Sequence, residues 1–417
     1  MTRTPLARLL STVLADAPVA IEAYDGSRSG PADAPVVLNL RTPRALSYLI
    51  SAPSSLGLAR AFVSGELEIR GDLYDALTAV WSDHIGNLSW QERLHVLRNL
   101  DPKAMRWVDA PPEEYGARRL RSGLRHSKQR DADAISHHYD VSNTFYEWVL
   151  GPSMTYTCAC YPSEDATLEE AQAHKYDLVC RKLGLAPGMR LLDVGCGWGG
   201  MVRFAAEHYG VQALGVTLSR RQAEWAKERI ASDGLGHLAE VRFSDYRDVT
   251  ESGFDAVSSI GLTEHIGKDN LPSYFSFLAG KLRPHGRMLN HCITRPTTTE
   301  ANRFGGFIDR YVFPDGELEG VGVIVSAMQD HGLEVRHEEN LREHYAKTLA
   351  GWCANLSAHW DEAVAEVGAG RARVWALYMA GSRLGFERHT LELHQVLGVK
   401  VDANGSNGMP LRPDWGV

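Results

Sequence analysis

The sequence predicts an α/β protein of two domains, in which the larger, C-terminal domain contains a parallel β-sheet covered by helices. Three observations predict this class. A short apolar segment, 190–194, leads into a glycine-rich turn and then a helical pattern. Strand-like and helix-like segments then alternate along the chain, which is typical of a doubly wound, Rossmann-like sheet. The length of 417 residues leaves room for a smaller domain.

Residues 1–115 are predicted to form the smaller, mixed α/β domain. The apolar run at 36–40 indicates a strand, because it is short and rich in Val and Leu. Residues 6–21 have the spacing of an amphipathic helix. Further helices are predicted at 44–50 and 73–80.

The segment 116–135 is predicted to be a linker between the domains, since it is basic and follows Pro111 and Pro112. Its cations form either a solvated connection or a patch for anionic lipid headgroups, where each would contribute about 1 kcal/mol. The net charge of −8 argues against nucleic acid as a partner. The six cysteines lack the spacing of zinc ligands, so we expect no metal and a reduced, cytoplasmic environment.

Residues 136–417 are predicted to form the larger domain. In open parallel sheets, ligands bind at the carboxyl ends of the strands. Asp193, Thr217, Asp245, Glu264 and His291 lie at or just past such ends, so we expect them to converge on one site. The candidate strands are 190–194, 213–218, 240–244, 254–260 and 287–293, with helices at 221–230 and 271–282 and late strands at 333–336 and 391–399.

The turn 195–200 predicts a nucleotide-type ligand, because glycines let a ligand approach the backbone closely. Its Gly-x-Gly-x-x-Gly spacing also fits a dinucleotide. The second strand, however, ends without the carboxylate that binds an NAD ribose. Asp193 could bind a ligand amine and Asp245-Tyr246 could hold an adenine, which favours S-adenosylmethionine. Arg220 and Arg221 keep NADP as the alternative.

Several motifs together resemble the cyclopropane-fatty-acyl-phospholipid synthase family of S-adenosylmethionine-dependent methyltransferases. Their order along the chain also matches, and they cover roughly residues 136–399. The resemblance implies a class I methyltransferase sheet, and a weaker match at 50–75 implies the N-terminal domain of the long bacterial members. The matching segments are 137–143, 156–161, 192–200, 215–219, 245–248, 264–267, 311–316 and 394–396.

The resemblance implies methyl transfer to the cis double bond of an unsaturated, phospholipid-bound acyl chain at the inner face of the membrane. Methyl transfer to an alkene leaves a carbocation, which a base must then deprotonate. The family's base is a bound bicarbonate ion. Histidine and tyrosine can donate to such an oxyanion, and a carboxylate can accept from its hydroxyl. The implied bicarbonate holders are Cys158, Glu264, His291, Ile293 (through its backbone) and Tyr345.

The same resemblance assigns residues to each part of the cofactor S-adenosylmethionine. The assigned residues follow the cofactor from its carboxylate and amine through its ribose to its adenine. The implied residues are Tyr156 and Thr157 at the carboxylate, Asp193, Gly195 and Gly197 at the amine, Thr217, Leu218 and Gln222 at the ribose, and Asp245 and Tyr246 at the adenine.

Residues 136–143 and 291–296 resemble an actinobacterial branch that makes methylene-branched acyl chains, which a partner reductase then saturates. We therefore expect a methylene product, with a cyclopropane ring as the alternative. Glu147 is either an exposed helix carboxylate or a group that helps methylene formation. The family's aromatic–Cys–Ala–Gly segment is replaced at 378–382, and its usual Trp by His394.

Two further functions remain as alternatives from the sequence. One is an NADP-dependent oxidoreductase that uses the same glycine turn. The other is a lipid-binding or carrier protein with an inactive methyltransferase half, although Asp193, Cys158, Glu264 and His291 are all present. The segment 294–320 is predicted to be an insertion that covers the substrate. A homo-oligomer is a further option that the sequence leaves open.

Overall fold

The computed structural model describes residues 4–14, 17–52, 55–80, 106–115, 142–299, 306–314 and 316–415. The chain forms two compact units. The first comprises mainly the N-terminal part of the chain and the second most of the remainder. The predicted linker at 116–135 and the motif residues 137–141 lie outside the described residues.

The first unit is built on a four-stranded sheet of order β2-β1-β3-β4. β1 and β3 are parallel, whereas the outer strands are antiparallel to their neighbours. Leu6, Leu9, Ile21, Leu38 and Leu46 contribute to one buried core on this sheet. The elements are α1 (Leu6–Val13), β1 (Val19–Ala23), β2 (Arg28–Ser29), β3 (Val36–Leu40), α2 (Pro43–Ser51), α3 (Ser55–Val63), β4 (Leu67–Arg70) and α4 (Leu73–Val80).

The strand at 36–40 and the helices at 44–50 and 73–80 are confirmed, but the predicted helix at 6–21 is too long. α1 ends at Val13, and Val19 already begins β1. Pro18 lies between them and has no N–H to donate within a helix. Proline also disfavours helical backbone at the preceding residue, so a helix could not continue to residue 21.

Two segments from much later in the sequence also belong to the first unit, namely 306–312 and 360–384. Arg60 forms two hydrogen bonds with Glu114, of 2.6 and 2.7 Å. The Tyr311 hydroxyl donates to the same carboxylate at 3.2 Å. Part of the predicted substrate-covering insertion is therefore fixed to this unit. The helices here are α10 (Gly306–Tyr311), α13 (Trp360–Val367) and the greater part of α14 (Ala369–Glu387).

The second unit contains a seven-stranded sheet of order β10-β11-β9-β8-β5-β6-β7. All seven predicted strands are confirmed. β9, β8, β5, β6 and β7 are parallel, but β11 is antiparallel to β9 and β10, so the sheet is mixed. The strands are β5 (Arg190–Val194), β6 (Gln212–Thr217), β7 (Ala239–Phe243), β8 (Phe254–Ile260), β9 (Leu282–Thr294), β10 (Glu334–Asn340) and β11 (Glu392–Val399).

Helices cover both faces of this sheet. Leu191 and Ala213 pack into one buried cluster, and their neighbours Leu192 and Leu214 into another. Successive side chains on a strand point to opposite faces, so the two clusters are the two helix-covered layers. The helices are α5 (Asn143–Leu150), α6 (Leu168–Leu183), α7 (Gly200–Tyr209), α8 (Arg220–Ser232), α9 (Leu271–Lys281), α11 (Val321–Asp330) and α12 (Arg342–Ala358).

No helix in the described part of the chain combines the length and the apolar character needed to cross a lipid bilayer.

Gly215 in β6 explains how closely the glycine turn packs on the sheet. A Cβ at this position would lie 2.7 Å from Val202 Cγ2 and 2.8 Å from Cys196 Sγ. Both atoms belong to the turn and the helix that follow β5. A side chain at Gly215 would therefore push the turn away from its neighbouring strand.

We expect Gly215→Ala to lower the free energy of unfolding by about 1–3 kcal/mol, because it overpacks a buried contact. Gly280→Ala is the matched control, since a Cβ there meets nothing within 4 Å and the residue lies in α9. The control should gain about 0.5–1 kcal/mol from reduced backbone freedom. Urea unfolding followed by circular dichroism measures both changes. Equal midpoints for the two variants would contradict the packing described.

Candidate active site

The glycine turn after β5 has the backbone geometry of a ligand-binding loop. Gly195, Gly197 and Gly199 have φ values of 73°, 54° and 75°, which strain residues that carry a Cβ. The N–H groups of Gly195 and Cys196 donate to the Val216 carbonyl. A Cβ at Gly197 would meet nothing within 4 Å, and no side chain caps the start of α7. The turn therefore presents open backbone to the polar part of a ligand.

Asp193 lies one residue before the end of β5 and is almost completely buried. One of its carboxylate oxygens accepts a hydrogen bond from Ser258 Oγ at 2.6 Å. Burial raises the pKa of Asp193 to about 7, although the Ser258 bond and the positive charge of Lys175 lower it. A bound cation would therefore favour the ionised carboxylate, which suits the predicted contact with a ligand amine.

Thr157 is held by two side chains of α6. Lys175 Nζ donates to Thr157 Oγ1 at 2.9 Å, and Gln172 Nε2 donates to its carbonyl at 2.9 Å. Lys175 is completely buried and lies 3.9 Å from the centre of the Tyr176 ring. Burial lowers its pKa to about 8. The predicted position of the cofactor carboxylate therefore adjoins a buried cation.

A row of aromatic rings connects the glycine turn with Tyr345. The Trp198 ring lies 4.7 Å from Tyr146, which lies 6.0 Å from Tyr156. Tyr156 lies 5.4 Å from Trp352, which in turn lies 6.0 Å from Tyr345. The distances join ring centres, and all five residues belong to the second unit. Tyr156, a predicted cofactor residue, and Tyr345, a predicted bicarbonate holder, therefore lie along one aromatic wall.

The end of β6 holds Thr217 and Gln222 together, because Thr217 Oγ1 donates to Gln222 Oε1 at 2.8 Å. Both side chains are buried, and Leu218 between them is partly buried. Arg220 lies over the Phe243 ring at 4.6 Å. The predicted ribose residues are thus adjacent, while one arginine of the NADP alternative packs against an aromatic ring.

Asp245 caps a short 3-10 helix, Tyr246–Asp248, after β7. Both of its carboxylate oxygens accept hydrogen bonds from Arg247, at 2.8 and 2.6 Å. Tyr246 lies edge-on to Tyr274, with ring centres 5.2 Å apart. Asp245 is therefore held in a fixed position at the strand end, and Arg247 is a contact that the sequence motif did not reveal.

Glu264 lies in a 3-10 turn, Thr263–His265, just after β8. Its Oε1 accepts from the Ile293 N–H at 2.7 Å. Its Oε2 is buried and has no hydrogen-bond partner among the residues that the structure describes. Burial raises the pKa of this carboxyl to about 7. The backbone N–H of Ile293 is therefore bonded to the Glu264 carboxylate.

His291 lies in β9 and is about 1% exposed. Its Nδ1 lies 3.2 Å from Gln395 Nε2 on the neighbouring β11. Its Nε2 is buried without a hydrogen-bond partner within the described chain. Burial, with the nearby charges of Lys175 and Lys182, holds the pKa of His291 well below its ordinary value. The ring is therefore neutral at physiological pH.

The side chain of Cys158 and the backbone N–H of Tyr345 share one acceptor, the Leu341 carbonyl. Leu341 O accepts from the Tyr345 N–H at 3.1 Å and from Cys158 Sγ at 3.8 Å. Both side chains are buried, and the Tyr345 ring packs 4.6 Å from Phe386. Burial raises the pKa of the Cys158 thiol well above its ordinary value. Cys158 is therefore a neutral thiol, which suits a holder of a ligand better than a nucleophile.

Glu147 lies on the exposed side of α5. Its Oε1 accepts a hydrogen bond from Trp225 Nε1 in α8, at 3.4 Å. In the described chain, no hydrogen bond links Glu147 to Cys158, Glu264, His291 or Tyr345. The structure thus does not bring Glu147 together with the predicted bicarbonate holders, because its carboxylate is directed to the surface and to α8.

Comparison with known proteins decides the family. The family model for mycolic acid cyclopropane synthetase matches residues 126–396. The chain belongs to this family. It is an S-adenosylmethionine-dependent methyltransferase, as the motifs predicted.

Two curated relatives and one solved structure illustrate the range of the family. A "probable fatty acid methyltransferase" of Mycobacterium tuberculosis is 55% identical, over 99% of both chains. The cyclopropane-fatty-acyl-phospholipid synthase of Escherichia coli is 34% identical over 67% of this chain and 71% of its own. The crystal structure of the mycolic acid cyclopropane synthase CmaA1 complexed with SAH and CTAB is 33% identical. It covers 64% of this chain and 97% of its own, with a TM-score of 0.61.

The sequence did not assign a role to three polar residues that lie beside the predicted site residues. Lys175 and Lys182 lie seven residues apart on the buried face of α6, and Gln395 is fully buried in β11. Lysines at core positions of a helix are a signal that was available, since lysine is almost never fully buried without a partner. Gln395 carries no comparable signal. It lies beside His291 because of the strand register, which the sequence does not reveal.

Glu264→Gln should stabilise the protein more at about pH 8 than at about pH 5. Burial raises the pKa of Glu264 from 4.5 to about 7. Between these two values the unfolded chain loses the proton while the folded protein keeps it, so the free energy of unfolding of the wild type falls as the pH rises. The pH-dependent gain is on the order of 2–3 kcal/mol. Gln keeps an acceptor for the Ile293 N–H. Thermal unfolding at both pH values measures the difference. Glu228→Gln, exposed on α8, is the matched control, and a Glu264→Gln shift no larger than the control's would contradict the expectation.

Proposed function

We propose that this methyltransferase transfers the methyl group of S-adenosylmethionine to the cis double bond of an unsaturated acyl chain in a phospholipid, and that a methylene-branched chain results. The names of the relatives support a lipid substrate. A cyclopropane ring is the alternative product. The observation that carries the proposal is that Glu264 Oε2, just after β8, and His291 Nε2, in the neighbouring β9, are both buried without a hydrogen-bond partner among the described residues.

The residues present fit a small oxyanion such as bicarbonate. A buried polar atom without a partner costs about 1–3 kcal/mol, so two such atoms in one region indicate a missing ligand. When bound, bicarbonate would supply a basic oxygen for the final proton. A neutral His291 would donate to an anionic oxygen, and protonated Glu264 could donate or, when ionised, accept from a hydroxyl. Tyr345 and Cys158 would close the same space.

The cofactor residues fit S-adenosylmethionine, which supplies an electrophilic methyl group. Asp193 would accept from the cofactor amine, while Lys175 and Thr157 would face its carboxylate. Gly195 and Gly197 would let the cofactor lie close to the backbone. Thr217, Leu218 and Gln222 would surround the ribose, and Asp245 and Tyr246 the adenine. With this assignment, the glycine turn serves a methyl donor instead of NADP.

The chain's own side chains would control water near the carbocation. The aromatic wall from Trp198 to Tyr345 excludes water and presents π faces that favour positive charge. Its ring quadrupoles would stabilise a cation. Whether a hydride shifts before the proton leaves then decides between a methylene group and a ring.

A relative that is 55% identical over 99% of both chains is named a probable fatty acid methyltransferase, which supports a fatty acyl substrate. The methylene product is supported by the resemblance of residues 136–143 and 291–296 to the methylene-forming branch. His394, which replaces the family's usual Trp, is 2.6 Å from Thr294 Oγ1 and 3.3 Å from Glu338 Oε1. It therefore joins β11 to both neighbouring strands.

A methylene product carries a carbon–carbon double bond, so a reductase would be the partner that converts it to a methyl branch. Access to phospholipid requires peripheral contact with a membrane surface.

The decisive experiment incubates the purified full chain with methyl-labelled S-adenosylmethionine and dioleoyl-phospholipid vesicles. We expect labelled acyl chains that mild hydrogenation converts to a methyl branch. A ring has the same mass but resists mild hydrogenation, and it would support the alternative product. Buffer freed of carbon dioxide should slow turnover, and added bicarbonate should restore it. Cofactor binding without labelled lipid would overturn the proposal.

Affinity for S-adenosylmethionine should fall as pH drops below about 7, because burial raises the pKa of Asp193 to about 7 and the cofactor amine needs the ionised carboxylate. The loss approaches about tenfold per pH unit below that value. Calorimetry in buffers of different ionisation enthalpy should detect a proton released on binding. Asp193→Asn should bind weakly without this pH dependence. A wild-type Kd that is constant between about pH 6 and 8 would exclude the proposed contact.

A further inference from the structure

Three polar side chains form a row across one edge of the larger sheet. Glu339 in β10 is the register partner of Gln395 in β11, and Gln395 is the register partner of His291 in β9. Residues directly opposite one another on neighbouring strands point to the same face. The row therefore runs from the sheet edge to the proposed oxyanion position.

Lys182 of α6 contacts two members of this row. Its Nζ donates to Gln395 Oε1 at 2.7 Å and forms an ion pair with Glu339. Lys182 is completely buried, whereas Glu339 is partly exposed. A buried ammonium needs acceptors, and these two oxygens supply them.

These contacts determine which way the Gln395 amide points. A lysine ammonium is a donor that cannot accept, so the atom 2.7 Å from Lys182 Nζ must be the amide oxygen. The amide NH2 then faces His291 Nδ1 at 3.2 Å and Cys160 Sγ at 3.9 Å. An NH2 group donates, so His291 Nδ1 must accept. The imidazole proton of a neutral His291 therefore resides on Nε2.

We propose that Lys182 and Gln395 are positioning residues that fix His291 as the neutral tautomer with its proton on Nε2. The Nε2–H, which has no partner among the described residues, would then be a donor for an anionic oxygen. The identity of that oxygen as bicarbonate rests on the proposed function, but the tautomer does not. Burial and the charges of Lys175 and Lys182 keep the pKa of His291 low, so His291 donates while uncharged, and the Lys182 cation is paired with Glu339.

The tautomer can be observed directly by NMR of the full chain labelled with 15N-histidine, with the His291 signals assigned by their loss in His291→Gln. Long-range nitrogen–hydrogen correlations distinguish a protonated from an unprotonated Nδ1. We expect wild-type His291 to show a protonated Nε2 and an unprotonated Nδ1. A protonated Nδ1 in the wild type would overturn the proposal, whether or not the chain methylates lipid.

Gln395→Glu is the sharpest variant, because it preserves shape but replaces the NH2 donor with an acceptor. Lys182 can still pair with the new carboxylate, and His291 must then donate from Nδ1. We expect the Nδ1 signal to become that of a protonated nitrogen. An unchanged His291 pattern in a folded Gln395→Glu protein would refute the assigned direction of the amide.

Lys182→Met tests the first link of the row independently, since it removes the group that orients the amide. We expect a mixture of His291 tautomers and at least a tenfold loss of kcat, with an unchanged Kd for S-adenosylmethionine. Lys400→Met is the matched control. Lys400 follows β11 and donates to the carbonyls of Ala279 and Leu282 at 2.9 and 2.8 Å. It should lower stability yet preserve the wild-type tautomer. If both variants change the His291 signals equally, Lys182 has only a structural role and the proposal is wrong.

Discussion

Desolvation of polar groups at the carboxyl edge of the larger sheet is the constraint on which the site depends. Asp193, Glu264, His291, Lys175 and Lys182 are all nine-tenths or more buried. Each therefore needs a partner inside the protein, and the partners found are a serine, a backbone N–H, an amide, a threonine and a second carboxylate. The same burial brings the pKa of Asp193 and of Glu264 to about 7, where small changes in ligand or pH alter their charge. The charge of the site can therefore change with ligand and pH, but the buried polar groups lower the stability of the fold.

The sequence was sufficient for most of the larger sheet, because β5, β6 and β8 are short, largely apolar segments followed by a turn or helix signal. Strand direction was harder to predict. The segment 392–399 looks the same whether the strand is parallel or antiparallel, so the reversal of β11 became visible only in three dimensions. The helix at 6–21 failed for a local reason, since its apolar periodicity continues across Pro18 although the backbone cannot.

The site shows the same division. Glycines, Asp193 and the strand-end residues could be located because their positions follow from local strand–turn–helix geometry. The partners of those residues could not, since Gln395 lies 104 positions from His291 and meets it through strand register. Lys182 lies 213 positions from Gln395 and reaches it from a helix. The antiparallel β11 therefore places the Gln395 amide beside His291, and it places His394 between both neighbouring strands.

The composition of the first unit has a consequence for biosynthesis. Its sheet and α1–α4 come from the beginning of the chain, but 306–312 and 360–384 complete it. A ribosome synthesises the chain from its N-terminus, so the last helices of this unit cannot pack until residue 384 has emerged. The larger sheet likewise waits for β11, its penultimate strand in space and its final strand in sequence. Neither unit can finish folding early, and both depend on contacts of high sequence separation, which are slow to form. The nascent chain therefore exposes incomplete hydrophobic cores until these late segments have emerged. Chaperones would bind the chain in this state.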